Sequence, residues 1–327
     1  MTQSAGSRSV VVIYNPVEIG GDALVRGLVD AASEAHDTIN ALGHRASLLR
    51  VDQGVRPFVD ALDALRPDIV FNLCEGYRES SAGEIYIAGL LELLGIPYTG
   101  SGPMALGLAL DKPLSKELFN ARGIPTPRFA AFRDVPRALP PLRFPLMLKL
   151  ASEDASLGIA AENVVSDENA AIRRLRQLLD EYRAPVLVEE FIDGREFTVP
   201  LLDGEPLLVE EIELNVEPRI VGFRAKWEAD SAEYRGTTPI FNPAISSQQR
   251  EAMMTLAVRV WDAIGLRDYG RVDFRMDDGG RLYVLEANPN PDISAGSGYR
   301  RSLDVAKIDY QDFLARLLEN AFARSRA

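Results

Sequence analysis

The amino-acid sequence predicts an α/β domain built on an open parallel sheet, followed by an α+β half. Three observations lead there. Over the first hundred residues short apolar runs alternate with helical patterns, the order in which parallel strands are joined by crossover helices. From residue 144 onward strands follow one another mostly as hairpins, with helices set between them. Between the two, over 98–145, Gly and Pro crowd into YTGSGP, GIPTPRF and ALPPLRFP and mark a crossover. A length of 327 residues, 46% of them apolar, suffices for two domains with substantial cores.

In chain order, VVVIY (10–14) reads as a strand, 21–41 as a helix, ASLLRV (46–51) as a strand, 57–65 as a helix, DIVFNL (68–73) as a strand and 83–94 as a helix. Ligands of such sheets bind at the carboxyl ends of the strands. Those ends read Asn15-Pro16-Val17-Glu18 and Asn72-Leu73-Cys74-Glu75-Gly76, polar segments that, taken alone, read as ordinary turns. A helix runs from Lys112 to Ala121 inside the Gly/Pro-rich stretch, and later helices fall at 167–182, 247–264 and 308–324.

Charge and scarce residues narrow the chemistry. With 36 basic against 48 acidic side chains the net charge is −12, which disfavours nucleic acid and anionic membranes as partners. An anionic substrate then needs a local basic cluster. No run approaches the ~18 apolar residues of a membrane span, and the start MTQSAGSRSV lacks a signal-peptide core, so a cytoplasmic location is expected. Cys74 is the single cysteine, and His36 and His44 are the only histidines. Histidine triads and closed zinc sites are therefore disfavoured. GxxxxGK[ST] and GxSxG are absent, as is a GxGxxG opening a helix after a strand.

The strongest local signal is GRVDFRMDDGGRLYVLEAN (270–288). A two-residue loop at Gly279-Gly280 places Asp273 opposite Glu286 and Arg271 opposite Asn288, with all four on one face. Val272, Phe274, Leu285 and Ala287 then share the other face and meet a core. Facing carboxylates repel unless a positive group lies between them. An all-oxygen set of Asp273, Glu286 and Asn288 suits Mg2+ or Mn2+; the alternative is a solvated face on which Arg271 neutralises the acids.

The chain has five lysines and uses Arg elsewhere. Lys149 lies within the apolar run FPLMLKL, Lys112 opens a helix, and Lys226 lies in FRAKWEAD. A lysine in a half-buried strand is costly unless it meets an anion or snorkels to water. VLVEEFIDGREFTVPLL (186–202) holds two strand-like runs around Glu189-Glu190-Phe191-Ile192-Asp193-Gly194. It reads either as a hairpin with a polar turn, or as an extended linker whose backbone can meet a flat heterocycle while Glu196 takes ribose hydroxyls.

Taken in order, LLELLGIPYTGSG (90–102), ALDKPLSK (109–116), FPLMLKLA, VLVEEFIDGREFTV and RVDF…VLEAN resemble the ATP-grasp superfamily, in its D-alanine–D-alanine ligase-like branch, over residues 68–298. The resemblance implies an ATP-grasp fold with an N-terminal Rossmann-like, pre-ATP-grasp domain (1–111), a central subdomain (112–194) and a C-terminal subdomain bearing the Mg2+ site (195–327). It implies ATP as cosubstrate, with Lys112, Lys149 and Lys226 facing the nucleotide, Glu189 to Ile192 as the adenine hinge and Glu196 on the ribose. It further implies two Mg2+ held by Asp273, Glu286 and Asn288, with Arg271 toward the reacting carboxyl. Amino acids or peptides are the implied small-molecule substrates, and a homodimer is one implied assembly. The implied chemistry is attack of a carboxylate on ATP to give an acyl phosphate, then displacement of phosphate by an amine, with no nucleophilic side chain.

Departures from that branch are equally plain. Its glutamate-bearing motif after the first strand is replaced by IYNPVEIGGDA, with Glu18 as the nearest counterpart. Its His-Gly pair after the third strand reads Cys74-Glu75, which puts Glu75 at a substrate position. The phosphate loop reads Glu153-Asp154-Ala155-Ser156-Leu157-Gly158, keeping Ser156, and Trp227 follows Lys226 where the branch has tyrosine. Asn-x-x-Pro-Gly becomes Asn288-Pro289-Asn290-Pro291-Asp292, while Ser297 is kept as a candidate for a second-substrate carboxylate. These changes point to a carboxylate–amine ligase with specificity diverged from D-alanine. A genuine D-alanine–D-alanine ligase, an ATP-grasp kinase and a non-catalytic nucleotide-binding regulator are the alternatives.

Overall fold

A computed structural model describes residues 6–15, 22–78, 80–153, 157–228 and 230–324; the side chains of 22–26 and of Trp227 are not described. Glu18 and Ser156 lie outside the described residues. The chain divides into two units, one comprising 1–106, 266–269 and 289–327, the other 107–265 and 270–288.

In the first unit β1 (Ser9–Tyr14), α1 (Asp22–Ala41), β2 (Arg45–Arg50), α2 (Val55–Leu65), β3 (Ile69–Leu73) and α3 (Gly83–Leu93) alternate as expected. The strands form a parallel sheet in the order β2-β1-β3. Val10 to Ile13 and Ile69 to Phe71 are buried, which continuous apolar runs achieve when helices cover both faces. The Asn15 side chain accepts the Glu75 N–H at 2.9 Å and that of Asn72 accepts the Cys74 N–H at 3.1 Å, fixing the polar ends of β1 and β3. His36 and His44 make local hydrogen bonds here, with Asp37 and Arg8 respectively.

α4 (Pro103–Leu110), a helix within the stretch read as crossover, begins in the first unit and ends in the second, where α5 (Lys112–Ala121) follows. Asp111 caps α5 by accepting the Leu114 N–H at 3.0 Å, so its start is set one residue before Lys112. There follow β4 (Phe129–Phe132), β5 (Leu146–Leu150), β6 (Val164–Val165), α6 (Glu168–Tyr182) and β7 (Val186–Glu190). These strands make an antiparallel sheet ordered β4-β7-β5-β6, with α6 packed on it. The remaining elements are β8 (Gly194–Leu202), β9 (Glu205–Pro206), β10 (Glu210–Leu214), α7 (Phe223–Trp227), α8 (Ala232–Arg235), β11 (Thr237–Ile240), α9 (Ser247–Ile264), β12 (Tyr269–Asp277) and β13 (Leu282–Asn288). They build a second sheet, β11-β10-β8-β12-β13, with β9 on β8. A reciprocal capping box between Ser246 and Gln249 starts α9, and Gly265 in a left-handed conformation ends it.

Two sequence readings change. The runs in 186–202 are not a hairpin: β7 pairs with β4 and β5, whereas β8 pairs with β10 and β12, so Phe191–Asp193 carries the chain from one sheet to the other. Of the two forms read for this stretch, the structure contains the extended connection. The last helices, α10 (Gly298–Val305) and α11 (Tyr310–Arg324), were expected with the C-terminal subdomain over 195–327 but belong to the first unit. There α11 packs on α1 and β3, burying Phe313, Leu314, Leu317 and Leu318.

Close approach of β8 to β12 requires glycine at one point. A Cβ on Gly194 would stand 2.1 Å from the Met276 carbonyl oxygen. Gly194→Ala is expected to cost about 1–3 kcal/mol through forced separation of the strands, measured as a lower urea midpoint with unchanged slope.

Candidate active site

The acidic face of the β12–β13 hairpin forms, but by a different route from the one the sequence suggested. Asp277 N–H donates to the Arg281 carbonyl at 3.0 Å, so the loop holds three residues, 278–280, rather than two. That alone would move every pairing by one. Next to the loop Phe274 indeed pairs with Val284 and Arg275 with Tyr283. A bulge then inserts Leu285, after which Asp273 faces Glu286 and Arg271 faces Asn288. The two departures cancel at the site. They do not cancel near the loop, where Val284 rather than Leu285 occupies the buried face beside Phe274.

On this face Arg271 grips Asp273 with two hydrogen bonds, Nε to Oδ1 at 2.7 Å and Nη2 to Oδ2 at 2.9 Å. Asn288 Nδ2 donates to Asp273 Oδ2 at 3.0 Å. Lys112 Nζ stands 3.8 Å from Glu286 Oε2 and donates to the Glu153 carbonyl at 2.6 Å. Burial alone would raise the Glu286 carboxyl, yet Lys112, Lys149, Lys226 and Arg271 together hold it down at about 2. Burial is also the main influence on the Lys226 ammonium, lowering it with help from Arg271 and against Glu286, Asp273 and Glu196.

A second group lies on β5, β7 and α5. Glu189, buried, is shared between Lys149, whose Nζ is 2.7 Å from Oε1, and Lys116, whose Nζ is 2.8 Å from Oε2. Lys116 also donates to Thr126 Oγ1 at 2.8 Å, and Thr126 donates to the Val284 carbonyl at 2.8 Å. Burial pushes Lys116 down to about 8 despite Glu189. Burial opposes ionisation of Glu189, but the two lysines outweigh it and lower its carboxyl.

The linker segment is held at several points. The Glu190 N–H donates to the Arg128 carbonyl and the Phe191 N–H to the Pro145 carbonyl, both at 2.9 Å. Glu190 Oε1 accepts the Arg143 N–H at 2.9 Å, and Ile192 is buried. Glu196 is ion-paired with Arg275, Nη2 to Oε2 at 2.7 Å. Arg275 also donates to the carbonyls of Gly194, at 3.0 Å, and Arg219, and its guanidinium lies over the Phe191 ring. Burial raises the Glu196 carboxyl more than Arg275 lowers it.

Lys116 and Arg275 are the members sequence reasoning missed. Both were within reach of it: Lys116 follows Lys112 by one helical turn, and Arg275 follows Asp273 by one pleat. In the first unit Glu75 lines a small cavity with Asn72, Cys74, Tyr269, Asn290 and Asp292. Ser297 caps α10 there, its hydroxyl donating to the Asp292 carbonyl at 2.7 Å and accepting the Arg300 N–H at 3.2 Å. Burial, then Glu75 and Glu84, push the Cys74 thiol up, away from nucleophilic use.

Among the described residues no three His, Cys, Asp or Glu side chains converge as a metal-binding group. Asp273 and Glu286, opposed across one pair, with the amide of Asn288 beside them, still fit Mg2+, which commonly takes one or two protein carboxylates and completes its shell with phosphate oxygens and water.

Two sheets joined by one extended linker, with carboxylates on both and lysines from α5, β5 and α7 beside them, have the arrangement of an ATP-grasp fold. A D-alanine–D-alanine ligase from Bacillus anthracis, solved in complex with ATP, matches with a TM-score of 0.80 at 22% identity, over 98% of this chain and 99% of that one. The family model described as "D-ala D-ala ligase C-terminus" matches residues 118–319. The chain belongs to the D-alanine–D-alanine ligase family, as the motif resemblance implied. A protein called y4sG from Sinorhizobium fredii, described as uncharacterized, is 33% identical over 93% of this chain and 87% of its own. The D-alanine–D-alanine ligase of Pseudomonas putida is 36% identical over 72% of this chain and 71% of its own. No described helix is long and apolar enough to cross a membrane.

Replacing Arg275 by Met strands the buried Glu196 carboxylate, and breaking such a pair costs about 3–5 kcal/mol. Without the guanidinium the Glu196 carboxyl rises further above its unfolded value, so the folded state holds the extra proton and stability falls as pH rises. The gap to wild type in urea unfolding is expected to widen from pH 5 to pH 8, and Glu196→Gln on the Arg275→Met background is expected to remove that pH dependence.

Proposed function

We propose that the chain is an ATP-dependent ligase that joins a carboxylate to an amine through an acyl phosphate, and that its substrate pair is not two D-alanines. The observation that carries the first part is the concentration of Lys112, Lys149, Lys226 and Arg271 around Glu286 in a chain of net charge −12. Such a cluster suits a polyphosphate. Membership of a family whose relatives are named D-alanine–D-alanine ligase supports the same chemistry.

In this reading Lys112 and Lys149 hold phosphate oxygens, and Lys226 screens the approach of two anions. Glu189 to Ile192 present the hinge to the base, and Glu196, steadied by Arg275, meets the ribose. Asp273, Glu286 and Asn288 hold Mg2+, or Mn2+, which when bound neutralises charge developing on the transferred phosphoryl group. Arg271 turns from Asp273 toward the reacting carboxyl and stabilises its oxyanion. Glu75 and Ser297 contact the amino-acid substrates, with Glu18 and Ser156 as further candidates from the motif comparison. Subdomain limits at 111/112 and 194/195 are supported by the start of α5 and by the change of sheet between β7 and β8.

Divergent specificity is supported by Cys74-Glu75, Ala155, Trp227 and Asp292, which differ from the branch pattern. A site shaped to hydrogen-bond one substrate rejects analogues lacking that group by large factors. The relatives' names favour the second reading, a D-alanine–D-alanine ligase of cell-wall synthesis.

ADP release from ATP, screened with L- and D-amino acids singly and in pairs, separates the readings. Turnover is expected with a pair other than D-alanine with itself; efficient D,D-dipeptide formation from D-alanine alone would establish the second reading, and ADP without a condensed product would indicate a kinase. Glu286→Gln is expected to abolish ADP release while circular dichroism shows the fold retained, because the lost group lies on the polar face of the hairpin.

A further inference from the structure

The buried group formed by Lys116, Glu189 and Lys149 does not balance. Two ammonium groups share one carboxylate, at 2.8 and 2.7 Å, and all three side chains are buried, Lys116 completely. Glu286 acts on both lysines through the field but also stands 3.8 Å from Lys112, so Lys112, Lys116 and Lys149 still outnumber Glu189 and Glu286 by one charge. One positive charge is therefore left inside the fold, where an uncompensated ion is costly. Burial holds Lys116 down at about 8, which expresses the same imbalance. A sequence that placed Met at 116 would leave a neutral Glu189–Lys149 pair and avoid that cost.

We infer that Lys116 is a positioning residue for polyphosphate binding: by occupying Glu189 Oε2 it stops that carboxylate from neutralising Lys149, and so leaves Lys149 with charge to offer an incoming phosphate. This rests on the nucleotide reading above and adds to it a residue that touches no substrate. Thr126, anchored on the Val284 carbonyl of β13, accepts the hydrogen bond of the Lys116 ammonium, which stands 2.8 Å from Glu189 Oε2. Lys116 thus ties α5, β7 and β13 at one atom. The excess charge created by Lys116 is displayed at Lys149.

The test is calorimetric binding of tripolyphosphate, ATP and adenosine to wild type, Lys116→Met and the double variant Lys116→Met/Glu189→Gln, with the melting temperature of each free protein. Lys116→Met is expected to weaken tripolyphosphate and ATP about tenfold, the scale of one lost charge-assisted contact. Adenosine affinity is expected to stay constant and the free protein to melt no lower than wild type. The double variant restores one net positive charge, carried by Lys149, and is expected to recover most of the lost tripolyphosphate affinity.

Equal tripolyphosphate affinity in wild type and Lys116→Met would overturn the inference, as would a weakened single variant whose double variant is no better. If Lys116→Met fails to fold, the double variant decides: affinity near that of wild type supports the inference and affinity well below it refutes it. Absence of tripolyphosphate binding by wild type would refute it as well. An affinity difference of the expected sign together with no ADP release for any amino-acid pair would instead refute the ligase reading and leave the inference standing.

Discussion

The site depends on two carboxylates held directly opposite each other across an antiparallel strand pair. Asp273 and Glu286 repel in that position, and the surroundings are organised to offset the repulsion. Arg271 and Asn288 hold Asp273 by hydrogen bonds, while Lys112, Lys149 and Lys226 act on Glu286 through the field. Those cations are themselves costly to bury, and Glu189 and Glu196 limit that cost in turn. The result is one connected set of charges in which no member is independent. Histidine and cysteine have no place in it, consistent with a chain that owns so few of them.

Much of this was legible in the sequence because strand and helix periods are short and regular. Alternation placed Arg271, Asp273, Glu286 and Asn288 together, and apolar runs placed the parallel sheet of the first unit. A three-residue loop and a bulge at Leu285 were not legible, since each is decided by backbone hydrogen bonds that no side-chain pattern encodes. The pairing expected from a two-residue loop coincides with the observed one at the site because the longer loop and the bulge shift the register in opposite directions. The partition of 186–202 between two sheets was equally hidden: each half reads as a strand, and its partners lie far away in sequence.

Lys116 and Arg275 show a different limit. Their positions on helix and strand follow from the period, but what makes them matter is full burial beside a carboxylate, and burial of a charged residue runs against its composition. Sequence reasoning treats a lysine on a helix as a solvated one. Only the meeting of α5, β5 and β7 reveals that this lysine has no water to reach. Glu196 likewise sits in a hydrogen-bonded frame made by Arg275, a partner from a strand nearly eighty positions on.

The enclosure of Cys74 has a practical side. It is the single sulfhydryl in the chain, it is about 1% exposed, and burial suppresses its thiolate. Thiol reagents meet no accessible thiol while the parallel sheet is intact, so the rate of labelling in dilute denaturant reports how often the loop after β3 opens. Each molecule then carries one built-in clock for local breathing, placed beside Glu75, and it needs no engineered probe.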